Sequence, residues 1–459
     1  MHLLAIDWHL VAIKSGQLIL ALSILVILHE FGHYITARWF GCRVEKFYLF
    51  FDPWFSIFKK KVGDTEYGVG WLPLGGYVKI AGMIDESMDT EAMKLPAKEW
   101  EFRSKPAWQR LIIMLGGIIM NVLVAIVIFS MILFKYGENK IPMSSLKNGV
   151  AFQDSIYNQI GFQNGDKIVA VDGKTITYLD DAALKILMGK TAEVERNGVK
   201  QSLSFPENLI GTLIESKKKG GSMMLIPRMP AIIGSFDGMN EKSPGKDAGI
   251  LEGDIVLSIN NLPVNFFDEM RPILQNSTGN TVDLKVLRKT DTVSITSKLN
   301  AEKKLGVPPI SDFDQLQKMG VLKNEHKSYG FFESIPAGIA LTNDKLMGYI
   351  DQFKKMLQPK TGAYKGLGGF KAIANAFPSS WNWESFWNIT GFLSIVLAFM
   401  NLLPIPALDG GHVMFTLYEM ITRRKPNEKF LEYAQMGGMI LLMLLMVYAN
   451  GNDWFGWGK

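Results

Sequence analysis

The sequence predicts a polytopic α-helical membrane protein that also carries two small β-rich domains. Three features indicate this fold class: long apolar runs, a polar segment that repeats itself, and a short glycine-rich segment. An apolar helix of about 20 residues spans a hydrocarbon core of about 30 Å, because each residue adds about 1.5 Å. Four runs are predicted as transmembrane helices on this basis, the second being the cleanest: residues 13–40, 111–134, 385–403 and 434–448.

The first run also has the length and position of a secretory signal peptide. It continues in a helix-compatible pattern through Arg38, however, and no small-residue cleavage site follows it. The sequence therefore favours a retained transmembrane helix.

Charged residues predict how these helices are oriented. The formal net charge is only +5 over 459 residues, and no basic stripe with interleaved aromatic residues indicates a nucleic-acid partner. Lys and Arg cluster instead between the first two helices and again between the last two. Such clusters mark cytoplasmic connections. Both termini and the long middle segment are therefore predicted to lie outside the cytoplasm. Because Cys42 is the single cysteine of the chain, the middle segment must fold without an intramolecular disulfide.

The middle segment contains one pattern twice. Residues 161–173 and residues 249–261 each have a Gly-Asp turn that leads into an alternating apolar strand. One copy alone fits a generic turn and strand, whereas two copies at similar spacing indicate a duplicated β-rich domain. The pattern resembles that of PDZ domains, which often bind an extended peptide along a sheet edge.

These features divide the chain into five parts. A connector after the second copy has apolar residues at helical spacing over residues 331–356, which predicts an amphipathic helix. The parts are residues 1–140 with the first two transmembrane helices, residues 141–228 and 229–327 as PDZ-like domains, residues 328–384 as connector, and residues 385–459 with the last two transmembrane helices.

A metal-binding pattern lies at the end of the first apolar run. In His29-Glu-Phe-Gly-His33 the two imidazoles are four residues apart, so both lie on one helix face and can reach one Zn²⁺. Glu30 would project beside the metal and polarise a bound water. The five-residue pattern also occurs by chance, but two histidines and a glutamate are costly in a membrane helix and indicate function.

A third ligand is needed because a catalytic zinc keeps three protein ligands and one open position. Asp409 is predicted to supply it from a turn, since Pro404 and Pro406 end or kink the third transmembrane helix. The alternative role of Asp409 is the N-cap of the following helix, which does not exclude ligation. His412 is a rival ligand, although two histidines and one carboxylate already complete the site.

Further residues are candidates for binding the substrate. Asn121 and Asn401 could donate hydrogen bonds to a substrate backbone or to a developing oxyanion, although Asn121 could equally join two helices. Residues 68–82 are too short and glycine-rich for a helix and fit a β-hairpin or a curved strand. Their edge, which includes Gly75, Gly76 and Tyr77, could pair with an extended substrate inside a protein cavity.

Taken together, these residues resemble the site-2 protease family, in its bacterial regulator of sigma-E protease type with tandem PDZ domains. The resemblance covers essentially the whole chain and rests on the His29 to His33 motif, the segment from Asn401 to Gly411, the paired repeats and the four spans. It implies a zinc endopeptidase of the bacterial plasma membrane that cuts transmembrane segments. His29, His33 and Asp409 would be its zinc ligands and Glu30 its general base.

The resemblance also implies substrates and partners. Substrates of the family include membrane-bound anti-sigma factors and signal-peptide remnants, usually after another protease has removed the extracytoplasmic part. Residues 68–82 would correspond to a membrane re-entrant β-loop that pairs with unwound substrate. The PDZ-like pair is expected to exclude bulky substrates rather than capture new C-termini, because neither repeat has an unambiguous carboxylate-binding Gly-Leu-Gly-Phe loop. The nearest match is Ile233-Gly-Ser-Phe236, in the second copy only.

The chain departs from the family pattern at two places. Gly117-Ile-Ile-Met-Asn121 lacks a proline that relatives have, and a Gly-Gly-Phe-Lys-Ala-Ile373 segment replaces a Gly-Pro-Ile pattern. Neither departure touches a proposed ligand, so both concern packing near the substrate. Two other functional classes fit less well: a silent membrane adaptor would not need intact ligands and base, and a transporter would often show repeated membrane spans.

Overall fold

The computed structural model describes residues 7–73, 75–83, 96–218, 225–237 and 243–457. The helices are α1 (Trp8–Trp39), α2 (Ala107–Tyr136), α3 (Ser155–Gln159), α4 (Leu179–Met188), α5 (Leu209–Lys218), α6 (Pro244–Asp247), α7 (Phe267–Gln275), α8 (Phe313–Lys318), α9 (Phe331–Met356), α10 (Phe370–Ala376), α11 (Trp383–Leu402), α12 (Asp409–Thr422) and α13 (Glu428–Phe455). The strands are β1 (Val44–Leu49), β2 (Phe51–Val62), β3 (Thr65–Leu72), β4 (Tyr77–Ile80), β5 (Glu138–Lys140), β6 (Val150–Phe152), β7 (Lys167–Val171), β8 (Lys174–Thr175), β9 (Thr191–Arg196), β10 (Val199–Ser204), β11 (Leu225–Pro227), β12 (Ile255–Ile259), β13 (Leu262–Pro263), β14 (Thr281–Arg288), β15 (Asp291–Lys298) and β16 (Glu325–Lys327).

The chain forms two compact units. The first comprises Met1–Gly137, Ser328–Lys354 and Leu367–Lys459, and the second comprises Glu138–Lys327 and Lys355–Gly366. Among the described residues of the first unit, α1, α2, α11 and α13 are long and apolar enough to cross a membrane. These four helices correspond to the four predicted spans. Polar ends extend them beyond the apolar runs: the Asp7 carboxylate accepts the Leu10 amide hydrogen (3.1 Å), and α1 therefore begins at Trp8.

Helix α2 is the centre of the first unit, because α1, α11 and α12 all pack against it. Small residues bring α1 and α2 close together: a Cβ atom on Gly32 would lie 2.3 Å from the Gly116 carbonyl oxygen. Glycine at such crossings lets two backbones approach, which is a common way for membrane helices to associate. Helix α9 spans the residues predicted for the amphipathic helix, from Phe331 to Met356.

The glycine-rich segment after α1 forms strands, as predicted, but not a hairpin. Its two strands β3 and β4 both pair with β1, β3 in parallel and β4 antiparallel, in a sheet of order β2-β3-β1-β4. The hairpin prediction was wrong because residues 44–49, which lie before the segment, insert between its two halves. One edge of this sheet is β4, which pairs only with β1 in the described part of the chain.

The second unit contains two four-stranded antiparallel sheets of the same order. The strand order across the first sheet is β8-β7-β9-β10. The order across the second sheet is β13-β12-β14-β15, which is equivalent. Each sheet has a register shift at the same place, in β7 between Ile168 and Ala170 and in β12 between Val256 and Ser258. The two copies of the sequence pattern therefore enter equivalent strands.

The Gly-Asp turns before these strands are held by matching contacts. In the first copy, Asp166 accepts the Gln163 amide hydrogen (2.9 Å) and two hydrogen bonds from the Arg196 guanidinium (2.7 and 2.8 Å). In the second, Asp254 accepts the Leu251 amide hydrogen (2.9 Å) and two hydrogen bonds from Arg288 (2.8 and 2.7 Å).

Each arginine also donates to the carbonyl that opens its turn, Arg196 to Gly161 (2.8 Å) and Arg288 to Gly249 (2.7 Å). The guanidinium thus joins the turn to the neighbouring long strand. Each buried carboxylate is satisfied by a charge-assisted, two-pronged pair, which is a structural arrangement.

Candidate active site

The two histidines of the metal-binding pattern lie one turn apart on α1 and face the same way. Their rings are 4.9 Å apart between centroids and nearly perpendicular, at 85°. The Nε2 atoms are 3.4 Å apart. His33 is 4% exposed and His29 is half-buried, so both imidazoles are largely withdrawn from solvent.

Asp409 completes a cluster with these two nitrogens. Its Oδ2 atom lies 3.2 Å from Nε2 of His29 and 3.2 Å from Nε2 of His33. Helix α11 ends at Leu402, before the prolines, as predicted. Asp409 was expected on a turn or as an N-cap, and both expectations were wrong. It is the first residue of α12, and Leu408 is the N-cap. The reversal before it is completed by Ala407, whose φ is +85°.

The spacing of the three donor atoms fits a single tetrahedral ion. Ligands at about 2.0–2.1 Å from a zinc ion in tetrahedral geometry are about 3.3 Å from one another. The three separations here are 3.2, 3.2 and 3.4 Å. Among the described residues, these three form the group of histidine, cysteine and acidic side chains that could hold a metal. His412, the rival ligand, is not part of it.

The orientation of His33 is set from behind by α2. The carbonyl oxygen of Ile113 lies 2.9 Å from His33 Nδ1, so an Nδ1–H can donate to it and leave the Nε2 lone pair free. Metal-binding histidines are typically held in this way by a second hydrogen bond. Gly117, on the next turn of α2, leaves room for both imidazoles: a Cβ atom there would lie 2.3 Å from His33 Nε2 and 2.6 Å from His29 Cε1.

Glu30 lies between the cluster and the sheet. Val78 in β4 lies near its carboxylate. A Cβ atom on Gly76 would lie 3.5 Å from Glu30 Cγ, which shows how close the sheet edge comes to this side chain. The carboxylate is therefore placed beside the donor cluster without belonging to it.

One cavity of about 950 Å³ in the first unit brings the predicted site residues together. Its remaining lining is mostly apolar, with residues from α1, α2, α11 and the sheet. The predicted residues that line it are His29, Glu30, His33, Gly75, Gly76, Tyr77, Asn121, Asn401 and Asp409. His412 also lines it.

The candidate substrate-binding residues differ in what they already contact. Asn401 is half-buried, with Nδ2 3.2 Å from His29 Nε2. The Tyr77 hydroxyl donates to Asp52 Oδ1 (2.9 Å), so this side chain is tied to the sheet. Asn121 is fully buried, with Nδ2 3.2 Å from His29 Nδ1. Neither Gly117 nor Asp52 was given a role at the site from the sequence, because their roles depend on which helix or strand lies opposite.

The chain is similar to known proteins over most of its length. A family model described as Peptidase family M50 matches residues 17–445. A Vibrio cholerae protein named "Putative zinc metalloprotease" is 28% identical, over 95% of this chain and 97% of its own length. A Salmonella typhi protein named "Regulator of sigma E protease" is 28% identical over 98% of this chain and 99% of its own, and a Haemophilus influenzae protein of the same name is 28% identical over 95% and 98%.

The family model covers most of the chain, and these relatives align with it over nearly their full lengths. The resemblance noted in the sequence is thereby confirmed. This chain belongs to peptidase family M50, the site-2 protease family of zinc metalloproteases.

Proposed function

We propose that this chain is an intramembrane zinc endopeptidase that cuts transmembrane segments of other membrane proteins. His29, His33 and Asp409 are its zinc ligands, and Glu30 is its general base. The observation that carries the proposal is the triangle of donor atoms, 3.2 to 3.4 Å on each side, within a unit whose helices can span a bilayer. Two imidazoles and a carboxylate are a ligand set that suits a catalytic zinc.

When bound, zinc supplies Lewis acidity, which lowers the pKa of a water molecule and polarises a carbonyl group. Glu30 takes a proton from the attacking water and returns it to the amine of the leaving peptide. Its position beside the cluster supports this role, since it lines the same cavity as all three ligands.

The substrate must be extended before it can react, because a helix conceals its carbonyl groups. The free edge at β4, next to Gly75 and Gly76, supports pairing of an extended chain along the cavity wall. Such pairing would replace hydrogen bonds lost from the substrate helix. Asn401, at the cluster and only half-buried, is the candidate donor to the substrate carbonyl.

The sheet that carries this edge is proposed to enter the bilayer. Strand β2 exposes several large apolar side chains on a short stretch: Trp54 is 91% exposed, Phe55 59% and Phe58 59%. Three lysines follow at residues 59–61. Aromatic residues next to lysines suit a membrane interface, where the rings contact lipid and the charges contact headgroups.

The substrates are proposed to be single-span proteins of the anti-sigma factor or signal-peptide-remnant type, trimmed beforehand by another protease. The name "Regulator of sigma E protease", carried by relatives, supports this class. The protein would lie in a bacterial inner membrane, with the active site toward the cytoplasmic side. Labelled cysteines at Lys60 and Arg424 should then react only from the cytoplasm, and one at Lys217 only from outside; any other pattern overturns this orientation.

The two β-rich domains, over residues 141–228 and 229–327, are proposed to be PDZ-like and to act as a size filter on substrates. Their matching sheet order and Gly-Asp turns support a duplicated domain. Deleting residues 141–327 should let the enzyme cut substrates that retain their extracytoplasmic domains. If the deletion leaves these uncut and also abolishes cleavage of pre-trimmed substrates, the domains capture rather than exclude.

Cleavage of a single-span substrate by the purified chain in liposomes tests the proposed function. Glu30→Gln should lower the rate by about 10²–10⁴-fold, the usual contribution of general acid–base catalysis. Glu384, exposed in the first turn of α11, provides the matched control Glu384→Gln, which should cut at the normal rate. Near-normal cleavage by Glu30→Gln would remove Glu30 as base, and no cleavage by the unaltered chain would favour the silent adaptor.

A further inference from the structure

The buried side chain of Asn121, next to the donor cluster, has an oxygen atom without a hydrogen-bond partner among the described residues. The side chain is 0% exposed, and this oxygen is Oδ1. Its Nδ2 atom lies 3.2 Å from Nδ1 of His29, on the ring edge opposite Asp409. A buried amide oxygen without a partner is unfavourable by about 1–3 kcal/mol. The arrangement is therefore incomplete.

The proton count on His29 decides which atom of the amide should face the ring. A neutral imidazole carries one N–H, and a ring that binds a metal through Nε2 must carry it on Nδ1. That hydrogen would point at the Asn121 NH₂ group, so donor would face donor. A half-turn of the amide exchanges its nitrogen and oxygen at almost the same positions. The oxygen then accepts the Nδ1–H, and the contact of donor with donor at His29 is removed.

Helix α2 already serves His33 in the same manner. The Ile113 carbonyl lies 2.9 Å from His33 Nδ1, and Asn121 lies 3.2 Å from His29 Nδ1. Ile113, Gly117 and Asn121 are spaced by four residues, which puts them on one face of the helix. This face offers one acceptor for each imidazole, with Gly117 between them where a side chain would strike both rings.

We infer that Asn121 is a positioning residue whose side-chain carbonyl accepts the Nδ1 proton of His29 and directs the Nε2 lone pair toward the metal. The inference rests on the proposed zinc site and replaces the expectation that Asn121 donates to the substrate. Full burial supports the replacement, since a donor to the substrate backbone needs an open approach such as that of half-buried Asn401. The carbonyl acts on the reaction only through His29.

Two substitutions at Asn121 separate an acceptor from a donor. Asn121→Asp keeps an acceptor of the same shape, whereas Asn121→Leu keeps the volume and removes it. Zinc affinity of the purified full-length chain is measured by competition with a chromogenic chelator. Asn121→Leu should bind zinc about 10–100-fold more weakly, the usual effect of losing such a hydrogen bond. Asn121→Asp should bind at least as tightly as the unaltered chain.

Ser394→Ala is the matched control. The Ser394 hydroxyl donates to the backbone carbonyl of Asn121 (2.7 Å), so this substitution removes a buried hydrogen bond at the same residue that does not involve His29. Its zinc affinity should be unchanged. The absorption spectrum of the Co²⁺-loaded chain gives a second measure, which should shift in Asn121→Leu and stay close to normal in Asn121→Asp.

Normal zinc affinity in both Asn121 variants would overturn the inference. Equally weakened affinity in both would overturn it too. Normal zinc affinity with a raised KM in both would instead identify a substrate donor. Failure of the unaltered chain to bind zinc at all would sink the proposed function itself, which keeps the two failures distinguishable.

Discussion

Buried Asp166 and Asp254 in the second unit have different surroundings from half-buried Asp409 in the first. Asp166 and Asp254 in the second unit each accept paired hydrogen bonds from an arginine and a third from a backbone amide. Asp409 in the first unit meets two imidazole nitrogens at 3.2 Å instead. An arginine is a permanent cation, so the first two carboxylates are already neutralised.

Imidazoles can be neutral, and then the charge of Asp409 calls for a cation between the three side chains. The difference supports a structural role for Asp166 and Asp254 and the proposed metal-binding role for Asp409. It also predicts that perturbations will separate: some should affect the metal and activity, others only the stability of the β-rich unit.

Removal of the metal should produce the largest separation. A zinc chelator such as 1,10-phenanthroline is expected to abolish cleavage, and added zinc should restore it, since the three donor atoms depend on the ion to form a working site. Hydrogen exchange of peptides from residues 243–300 should not change, because arginines hold the aspartates there. Parallel loss of protection in that region would break the comparison.

Gly117→Ala should weaken the metal site without touching a ligand. The new Cβ would lie 2.3 Å from His33 Nε2, closer than any real contact allows, so an imidazole must move. Zinc affinity is expected to fall by more than the roughly 10–100-fold that follows loss of an orienting hydrogen bond. Gly437→Ala is a suitable control, because nothing lies within 4 Å of that position. Equal zinc affinity in the two variants would refute the close approach of α2.

Asp166→Asn and Asp254→Asn should have the opposite effect. Each substitution removes the negative charge that accepts hydrogen bonds from an arginine and a backbone amide. The sheet that contains the substituted turn should be destabilised by roughly 1–3 kcal/mol. Hydrogen exchange of the corresponding β-rich region would record the loss, and zinc content should stay normal. A fall in zinc content would show that these aspartates also contribute to the site.

Lowering the pH should also destabilise the second β-rich copy, by a smaller amount than Asp254→Asn does. Burial raises the pKa of Asp254, but hydrogen bonds from Arg288 and the Leu251 amide outweigh it and hold the pKa below its ordinary value. A lowered pKa stabilises the folded state above about pH 4, and this stability is lost as pH falls through the folded pKa. Exchange protection of the second copy should therefore decrease below about pH 4, and Asp254→Asn should flatten that dependence.

Much of this architecture follows from patterns that are local in sequence. Apolar length identified the four membrane helices, the Gly-Asp turns identified equivalent strands, and the four-residue spacing identified His29 and His33 as neighbours. Each of these features depends on residues within one helix or one turn. Local periodicity and turn chemistry are sufficient to predict them.

The meeting of Asp409 with His29 and His33 was predicted from chemistry, but other features that depend on two distant elements were not predicted correctly. The supposed hairpin became two strands on either side of β1, because strand pairing is decided by which partner is available in three dimensions. The roles of Gly117 and Asn121 depend on α1 lying against α2 at this depth. No spacing within residues 111–134 reveals which side chains that helix will face.

Zinc content of Asp409→Asn and Asp254→Asn, purified side by side, tests the central claim most directly. Both substitutions neutralise a carboxylate that is largely withdrawn from solvent, so a general effect of charge or folding would appear in both. The account predicts about one zinc per chain in the unaltered protein and in Asp254→Asn, with a large loss in Asp409→Asn. Normal zinc in Asp409→Asn, or equal loss in the two variants, would contradict the assignment of His29, His33 and Asp409 as the metal site.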